Sequence, residues 1–313
     1  MGRYRLGDII RLTRKSLSIT QEQLCDGICS VETLSRMETG KQSPNRDTYE
    51  LLMERMGRIR ERAYSMLSIS DFKVLEKMKL FEDCILQHDY KRAESTLQEI
   101  KLSLGNTILD KQFLIRAESL IRYRLNQTTT DEFLEGLKAA IRLTIPRYGT
   151  ISLASWPLTY NEALLLLNIS TAYAEKKDYE KAIKLLEEAK NALKLSYMDE
   201  QQRVVMQLSN IYNLSKWQSA IGSYEKSTET ALEGIEICRK YKLCSALPQL
   251  IYCVAWNNEQ LIHMGVLPQE NLRECLLEFK RGYYLASAFQ SPLIQQVFEG
   301  HVQESFQMIL SND

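Results

Sequence analysis

Histidine is scarce in this chain of 313 residues, with only His88, His263 and His301 present. None lies at ligand spacing from another histidine or from a cysteine pair, so the sequence offers no metal site. The seven cysteines, at 25, 29, 84, 238, 244, 253 and 275, are dispersed, odd in number and free of any CxxC pair. They therefore build neither a disulfide framework nor a zinc module. Glycine is sparse as well, 13 in all, and no glycine-rich phosphate loop can be assembled from it. With no nucleophile motif either, catalysis is the weakest functional class, and no cofactor is implied. No apolar run approaches the roughly 18 residues of a membrane span. The longest, EALLLLNIS, is broken by Asn168 and Ser170. The opening MGRYRLGDIIRLTRK lacks the apolar core of a signal peptide. A cytoplasmic protein with no membrane partner is expected.

What the chain does have is helical periodicity throughout and a local excess of positive charge. Lysine plus arginine equal aspartate plus glutamate, 40 against 40, yet residues 1–66 hold 12 basic and 9 acidic side chains. Arg3, Arg5, Arg11, Arg14 and Lys15 face only Asp8 in the first fifteen residues. Phosphate binding needs a local excess of this kind, not a basic whole chain.

That basic end coincides with a pattern of short helices. LGDIIRLTRKSL places Leu6, Ile9, Ile10, Thr13 and Leu17 on one helical face, and Ser18–Ile19 ends it. Thr20 with Gln23 forms a capping box for a helix from Gln21 to about Asp26, which Gly27 can end at positive φ. Ser30 caps a third helix running to Thr39, and Gly40 ends it. Ser43 and Pro44 are expected to open a fourth, proline suiting the first helical position. Two short helices around a sharp turn follow helix-turn-helix grammar. Leu24, Ile28, Leu34 and Met37 share a miniature core, and Cys25 is the small side chain where the two helices cross. The outer face of the third helix then holds Val31, Glu32, Thr33, Ser35 and Arg36. This helix would enter the major groove of double-stranded DNA. Arg36 suits guanine or phosphate and Glu32 a cytosine amino group. Gln21, Ser30, Lys41 and Arg46 are better placed for phosphates, which orient the protein without specifying sequence. Cys25 and Cys29, four apart, read as fillers of small core slots; an exposed, redox-active Cys29 is the sharper alternative.

The pieces TQEQL, GICS and LSRMETGKQSP, within about the first 55 residues, resemble the N-terminal domain of Rgg-type regulators. These belong to the peptide-sensing family that includes Rgg, PlcR, PrgX and Rap; the broader cousin is the Cro/repressor-like helix-turn-helix. The resemblance implies a DNA-reading head joined to a helical-repeat domain that grips a short signalling peptide.

From about Met66 onward the chain reads as helix after helix, with no strand alternation. EALLLLNISTAYAEKKDYEKAIKLLEEAKNAL places Tyr173, Ala182, Leu186 and Ala189 at the packing positions of a tetratricopeptide-like helix pair. The segment with Tyr90, Ala93, Leu97 and Ile100, and the weaker one with Tyr224, Ser227, Ala231 and Gly234, repeat its second half. Tyr90, Tyr179 and Tyr224 lie 89 and 45 residues apart, a unit of about 45 that also reaches Asp131 and Gln269. About five helix pairs are expected, stacked as a solenoid, with the final stretch SPLIQQVFEGHVQESFQMIL capping the array or meeting another subunit. An all-α fold follows, with a helix-turn-helix domain over 1–65 and a peptide-binding, dimerising repeat domain over 66–313.

In such a stack the first helix of each pair lines the concave face. Asn168, Asn213 and Asn258 are spaced by 45 and fall on successive first helices. An asparagine amide pairs with a peptide bond, so the three can hold an extended backbone without reading its side chains. In the family resembled, asparagines on the inner helices do this work. A chance or purely structural alignment is the bland alternative. Arg116, Arg122 and Arg203 are candidates for a peptide carboxylate, and solvated outer charge is the plainer account of each. The tryptophans Trp156, Trp217 and Trp256, with Tyr212 and Tyr252, are expected in core or interface. The whole points to a transcriptional regulator that binds DNA as a homodimer and answers to a short peptide. Two rivals stand beside it: a Rap-like module binding a response regulator, and a repressor independent of any ligand.

Overall fold

The computed structural model describes residues 6–57 and 69–310, apart from 199, 245 and 309. Arg3, Arg5 and the expected boundary at 65/66 lie outside the described residues. Within them there are fifteen α-helices and no strand. Four short ones come first: α1 (Leu6–Ser16), α2 (Gln21–Cys25), α3 (Val31–Glu38) and α4 (Arg46–Arg55). Ten longer ones follow: α5 (Ile69–Leu86), α6 (Tyr90–Ser103), α7 (Ile108–Arg124), α8 (Thr130–Arg142), α9 (Tyr160–Glu175), α10 (Tyr179–Leu195), α11 (Glu200–Ala220), α12 (Tyr224–Tyr241), α13 (Leu247–His263) and α14 (Leu272–Ala288). The last is α15 (Pro292–Phe306). The order is that of five successive pairs and a closing helix. Tyr90, Tyr179 and Tyr224 each open the second helix of a pair, as the period requires.

The helix starts are written in side chains. Thr20, Thr107, Thr129 and Thr159 are N-caps with reciprocal capping boxes to Gln23, Asp110, Glu132 and Glu162. Each box satisfies two donors that the first turn otherwise leaves without partners. The fourth helix departs from expectation: its cap is Asn45, whose Oδ1 accepts from Thr48 N at 2.7 Å, and the helix begins at Arg46. Pro44 precedes the cap, because an asparagine oxygen supplies the missing acceptor that proline at the first position only tolerates. On α1, Leu6 is exposed, whereas Ile19, beyond the helix end, is buried.

Contacts divide the chain into two compact units. One comprises Met1–Lys176 with Asn191–Arg203, the other Lys177–Lys190 with Val204–Asp313. In the first, Ile10, Ile19, Leu24, Cys25, Leu34, Met37, Leu52 and Met56 form the core of the head. Phe81, Ala93, Leu97, Ile100, Phe113 and Ala117 form that of α5 to α7. Gly7 sits where a Cβ would overlap the Met37 carbonyl, so α1 crosses the end of α3 at backbone distance.

In the second unit the small positions of α12 are buried: Ser227, Ala231 and Gly234. Ser227 does more than save space. Its Oγ donates to Ser215 O at 2.7 Å, Ser215 Oγ donates to Ser227 O at 3.0 Å, and Asn257 Nδ2 donates to Ser227 Oγ at 2.7 Å. One hydroxyl thus ties α11, α12 and α13 together. Further along, Tyr252, Trp256, Phe279 and Phe306 surround His301, whose Nε2 lies 2.6 Å from Glu259 Oε2, and Phe298 packs edge-on against Tyr252. Replacing Ser227 by alanine strands the Asn257 amide in the interior, a loss of about 1–3 kcal/mol. A lowered urea midpoint by far-UV circular dichroism is the expected result, and an unchanged midpoint would show that the network contributes nothing.

Candidate nucleic-acid interface

The first three helices converge on one buried carboxylate. Glu38, on the last turn of α3, is 3% exposed. Arg14 of α1 grips both its oxygens, Nε to Oε1 at 2.6 Å and Nη2 to Oε2 at 2.8 Å. Gln21, the first residue of α2, donates its Nε2 to Oε2 at 2.8 Å. Arg14 Nη1 also donates to Ile19 O at 2.8 Å, holding the α1–α2 corner. Burial works to raise the Glu38 pKa, but the hydrogen bonds from Arg14 and Gln21 outweigh it and hold the carboxyl below its ordinary value. The same bond to Glu38 leads the influences that lift the Arg14 guanidinium above its own. The pair fixes α1, α2 and α3 as one body.

On that body α3 turns its polar face outward. Ser30 is the N-cap, its Oγ accepting from Thr33 N at 3.1 Å and lying 2.8 Å from Thr33 Oγ1. Glu32 and Arg36 are exposed, and Thr33 and Ser35 are half-buried beside them. Gly40, at φ +73°, lets the chain turn so that Lys41 N and Gln42 N bond back to Arg36 O at 2.9 and 3.2 Å. Lys41 and Arg46 are exposed, Arg46 with its Nε on Glu50 Oε1 at 2.8 Å. The structure therefore brings Ser30, Glu32, Thr33, Ser35, Arg36 and Lys41 to one edge of the head. Gln21, the expected phosphate donor, is half-exposed and gives one of its two amide hydrogens to Glu38. Arg11, Arg14, Lys15, Thr20 and Gln21 line a shallow groove beside it.

Cys25 is buried and Cys29 half-buried. Burial pushes the Cys29 thiol up to about 11 and raises Cys25 as well. Both are held as thiols, the form least suited to nucleophilic redox chemistry, which favours their role as core fillers.

A second set of contacts, not foreseen from the sequence, ties the head to the connection between α8 and α9 in the same unit. Arg55, on the last turn of α4, is 3% exposed. Its Nη1 donates to Leu24 O at 3.2 Å and to Asp26 O, and its plane lies 4.6 Å from the Trp156 ring centroid. Arg147 Nη2 reaches both oxygens of Asp26 at 3.0 Å. Gly27, at φ +72°, brings the turn against Pro146 and Trp156, which its Cβ would meet at 3.3 and 3.6 Å. The sequence signal was an arginine inside an otherwise apolar helix end, and a tryptophan downstream as its plate.

The repeat candidates are placed as follows. Asn168, Asn213 and Asn258 lie half-buried on α9, α11 and α13, each the first helix of its pair. Asn168 Oδ1 is buried without a hydrogen-bond partner. Asn213 Nδ2 donates to Ser209 O of its own helix at 3.1 Å. Arg116 is buried and bonded to Glu82, with its guanidinium beside the Phe113 ring, which makes it a tie between α7 and α5. Arg122 is exposed and Arg203 half-exposed. Among the described residues, no cluster of metal-ligating side chains occurs and no helix is long and apolar enough to cross a membrane.

These features define a class: a helix-turn-helix module followed by an array of helical repeats. Residues 10–62 match the helix-turn-helix family model. Over nearly the whole chain the fold is also that of three solved proteins. One is PlcR of Bacillus thuringiensis, in complex with the peptide PapR7 and DNA, at 20% identity over 95% of this chain and 99% of that one, TM-score 0.61. Another is ComR of S. thermophilus, in complex with DNA and its signalling peptide ComS, at 15% identity over 95% and 98%, TM-score 0.54. The third is the SHP pheromone receptor Rgg2 of Streptococcus dysgalactiae, at 10% identity over 96% and 100%, TM-score 0.50. At these identities the likeness is one of fold. A comparison with curated protein sequences gives no match.

The lowered pKa of Glu38 sets a pH dependence. A carboxyl whose folded value lies below its unfolded one contributes stability that is complete above the unfolded value and disappears as pH falls through the folded value. Acidification from about pH 6 to pH 3 should therefore loosen the head in the wild type, with a shallower response in Glu38→Gln, which starts less stable. Exchange of the α3 amides against pH measures it; parallel curves for the two proteins would refute the assignment.

Proposed function

We propose that the chain is a transcriptional regulator that binds double-stranded DNA as a homodimer and is controlled by a short signalling peptide. The observation that carries this reading is the exposed polar edge of α3 on a head otherwise locked by Arg14, Gln21 and Glu38. A rigid head with a free reading helix is what major-groove recognition demands. Arg36 and Glu32 address base edges, and Lys41, Arg46, Arg11 and Lys15 address phosphates. Residues 1–65 form the DNA-reading domain and 66–313 the sensing and dimerising one. PlcR and ComR, which share the fold, are complexed with DNA and a peptide, and this supports the same pairing of ligands here. Asn168, Asn213 and Asn258, each on the first helix of its pair, are the groups assigned to the peptide backbone, and Arg122 or Arg203 to its carboxylate. The work of the chain is binding, carried out in the cytoplasm.

A single head buries little DNA surface, so two heads on half-sites about one helical turn, roughly 34 Å, apart supply the affinity. The peptide acts by favouring one arrangement of those heads over another, which requires that it bind the two with different affinity.

Selection of duplexes from sheared genomic DNA by the purified protein tests this. Enrichment of a two-fold symmetric site is expected, lost in Arg36→Ala/Thr33→Ala. Lys41→Ala should instead weaken all sequences alike and reduce the salt slope by about 1. No enriched site at any salt concentration, with or without culture extract containing secreted peptides, would overturn the reading. Response to such extract should be silenced by Asn213→Ala, with the basal DNA affinity kept.

A further inference from the structure

The turn between α2 and α3 meets a polar wall supplied by the connection from α8 to α9. Arg147 Nη2 reaches Asp26 Oδ1 and Oδ2, both at 3.0 Å. Both contacts use that one nitrogen, so Nε and Nη1 are left for an acceptor outside the pair. The Arg147 side chain is 61% exposed and that of Asp26 43%, which puts the pair at the surface. It borders a cleft of about 750 Å³, far beyond the roughly 30 Å³ share of one water. The head contributes Ser30 and Val31 to this cleft, the N-cap and first residue of α3; the connection contributes Arg147, Ser152 and Ser155. All of them belong to one compact unit. Ser152 and Ser155 are exposed. Ser152 Oγ accepts from Ala154 N at 3.3 Å, which leaves its hydroxyl hydrogen to donate. Beside the start of α3 there is thus a set of donors, a guanidinium and two hydroxyls. The carboxylates of the cleft are Glu22 and Asp26, and Asp26 is the one that Arg147 already meets.

We infer that Arg147 is a DNA-backbone contact supplied from outside the helix-turn-helix: the strand flanking the groove that α3 enters passes along this cleft, where the guanidinium takes a phosphate and Ser152 and Ser155 donate to the same backbone. The inference rests on the DNA-reading role proposed above. A recognition helix enters the major groove with its N-terminal residues toward base edges. Whatever stands beside Ser30 and Val31 therefore stands beside a groove wall, and groove walls are phosphate and sugar. Arginine and serine are among the side chains that take phosphate oxygens. An exposed ion pair adds little to folding, so the worth of the Asp26 contact lies in aiming the arginine before DNA arrives. Glu22, exposed on α2, repels a phosphate from its own part of the cleft and leaves the Arg147 part for the backbone. The repeat domain then touches DNA directly, outward along the groove from the bases that α3 reads.

The test is salt-dependent binding of the full-length protein to the duplex enriched by the wild type, with Asp26→Asn compared against Asp26→Asn/Arg147→Ala. The ion pair is absent from both, so only the guanidinium differs. The second variant should bind at least about fivefold more weakly, to enriched and scrambled duplexes alike, with a salt slope shallower by about 1 per head. Equal affinity and slope would show that Arg147 does no more than neutralise Asp26, and would overturn the inference. Arg147→Lys in the otherwise unaltered protein should keep the wild-type slope, because phosphate also accepts a point charge; a slope as shallow as that of Arg147→Ala counts against the contact. Neutral methylphosphonates placed singly along the duplex form a second arm. One position in each half-site should weaken the wild type and leave Arg147→Ala unaffected. If no position behaves so, the charge acts at a distance and the contact is refuted. If the wild type enriches no duplex, the DNA-reading role fails and takes this inference with it, whereas an enriched duplex indifferent to Arg147 removes this inference alone.

Discussion

The head depends on one buried negative charge. A carboxylate removed from water is tolerated only when its lone pairs are filled and its charge is met. Arg14 and Gln21 do both for Glu38, from two different helices. Because the arginine arrives with a planar fork, it fixes direction as well as distance. Three helices of 11, 5 and 8 residues are too short to hold themselves. Their apolar contacts give cohesion, but a greasy core alone leaves sliding motions open. The polar clasp closes them, and the outward face of α3 is rigid as a result.

The repeat segments solve a similar problem by different means. Their order is marked by threonine caps answered by acids three residues on, which fix where each helix starts. Their packing is set by alanine, serine and glycine at recurring positions of the second helices. Where a serine takes the small slot, as at 227, the hydroxyl is used to bind neighbours on both sides. Spacing by size and linkage by hydrogen bond therefore fall on the same residue.

Much of this was visible in the amino-acid order, and the divisions have physical causes. Caps, turns and small-residue periods are local properties, so Thr20, Ser30, Gly27 and the tyrosines opening α6, α10 and α12 could be placed from the sequence. The start of α4 was misplaced because two good signals, Pro44 and Asn45, stood side by side, and the one that supplies an acceptor prevailed. The polar side chains were harder. Gln21, Arg14, Glu38, Arg55 and Arg116 all look like surface groups one at a time, since a charge is cheap to leave in water. Only the meeting of partners 17 to 34 residues apart draws them out of solvent, wholly for Glu38, Arg55 and Arg116 and in part for Arg14 and Gln21. That information is not carried by helical period. The outward residues of α3 were legible for the opposite reason: they have no distant partner, and their position follows from the cap and the turn.

Glu162 serves two masters. It closes the first turn of α9 through Oε2, which accepts from Thr159 N, and it does so wholly buried, with its other oxygen without a hydrogen-bond partner. Aspartate there would keep the charge and shorten the reach; glutamine would keep the reach and lose the charge. Few substitutions satisfy both demands, so the position has little freedom to drift. Asn168, on the same helix, answers to neither demand. A chain built this way can vary position 168 while the start of α9 stays as it is. Freedom at one position and constraint at another thus coexist within the sixteen residues of one helix.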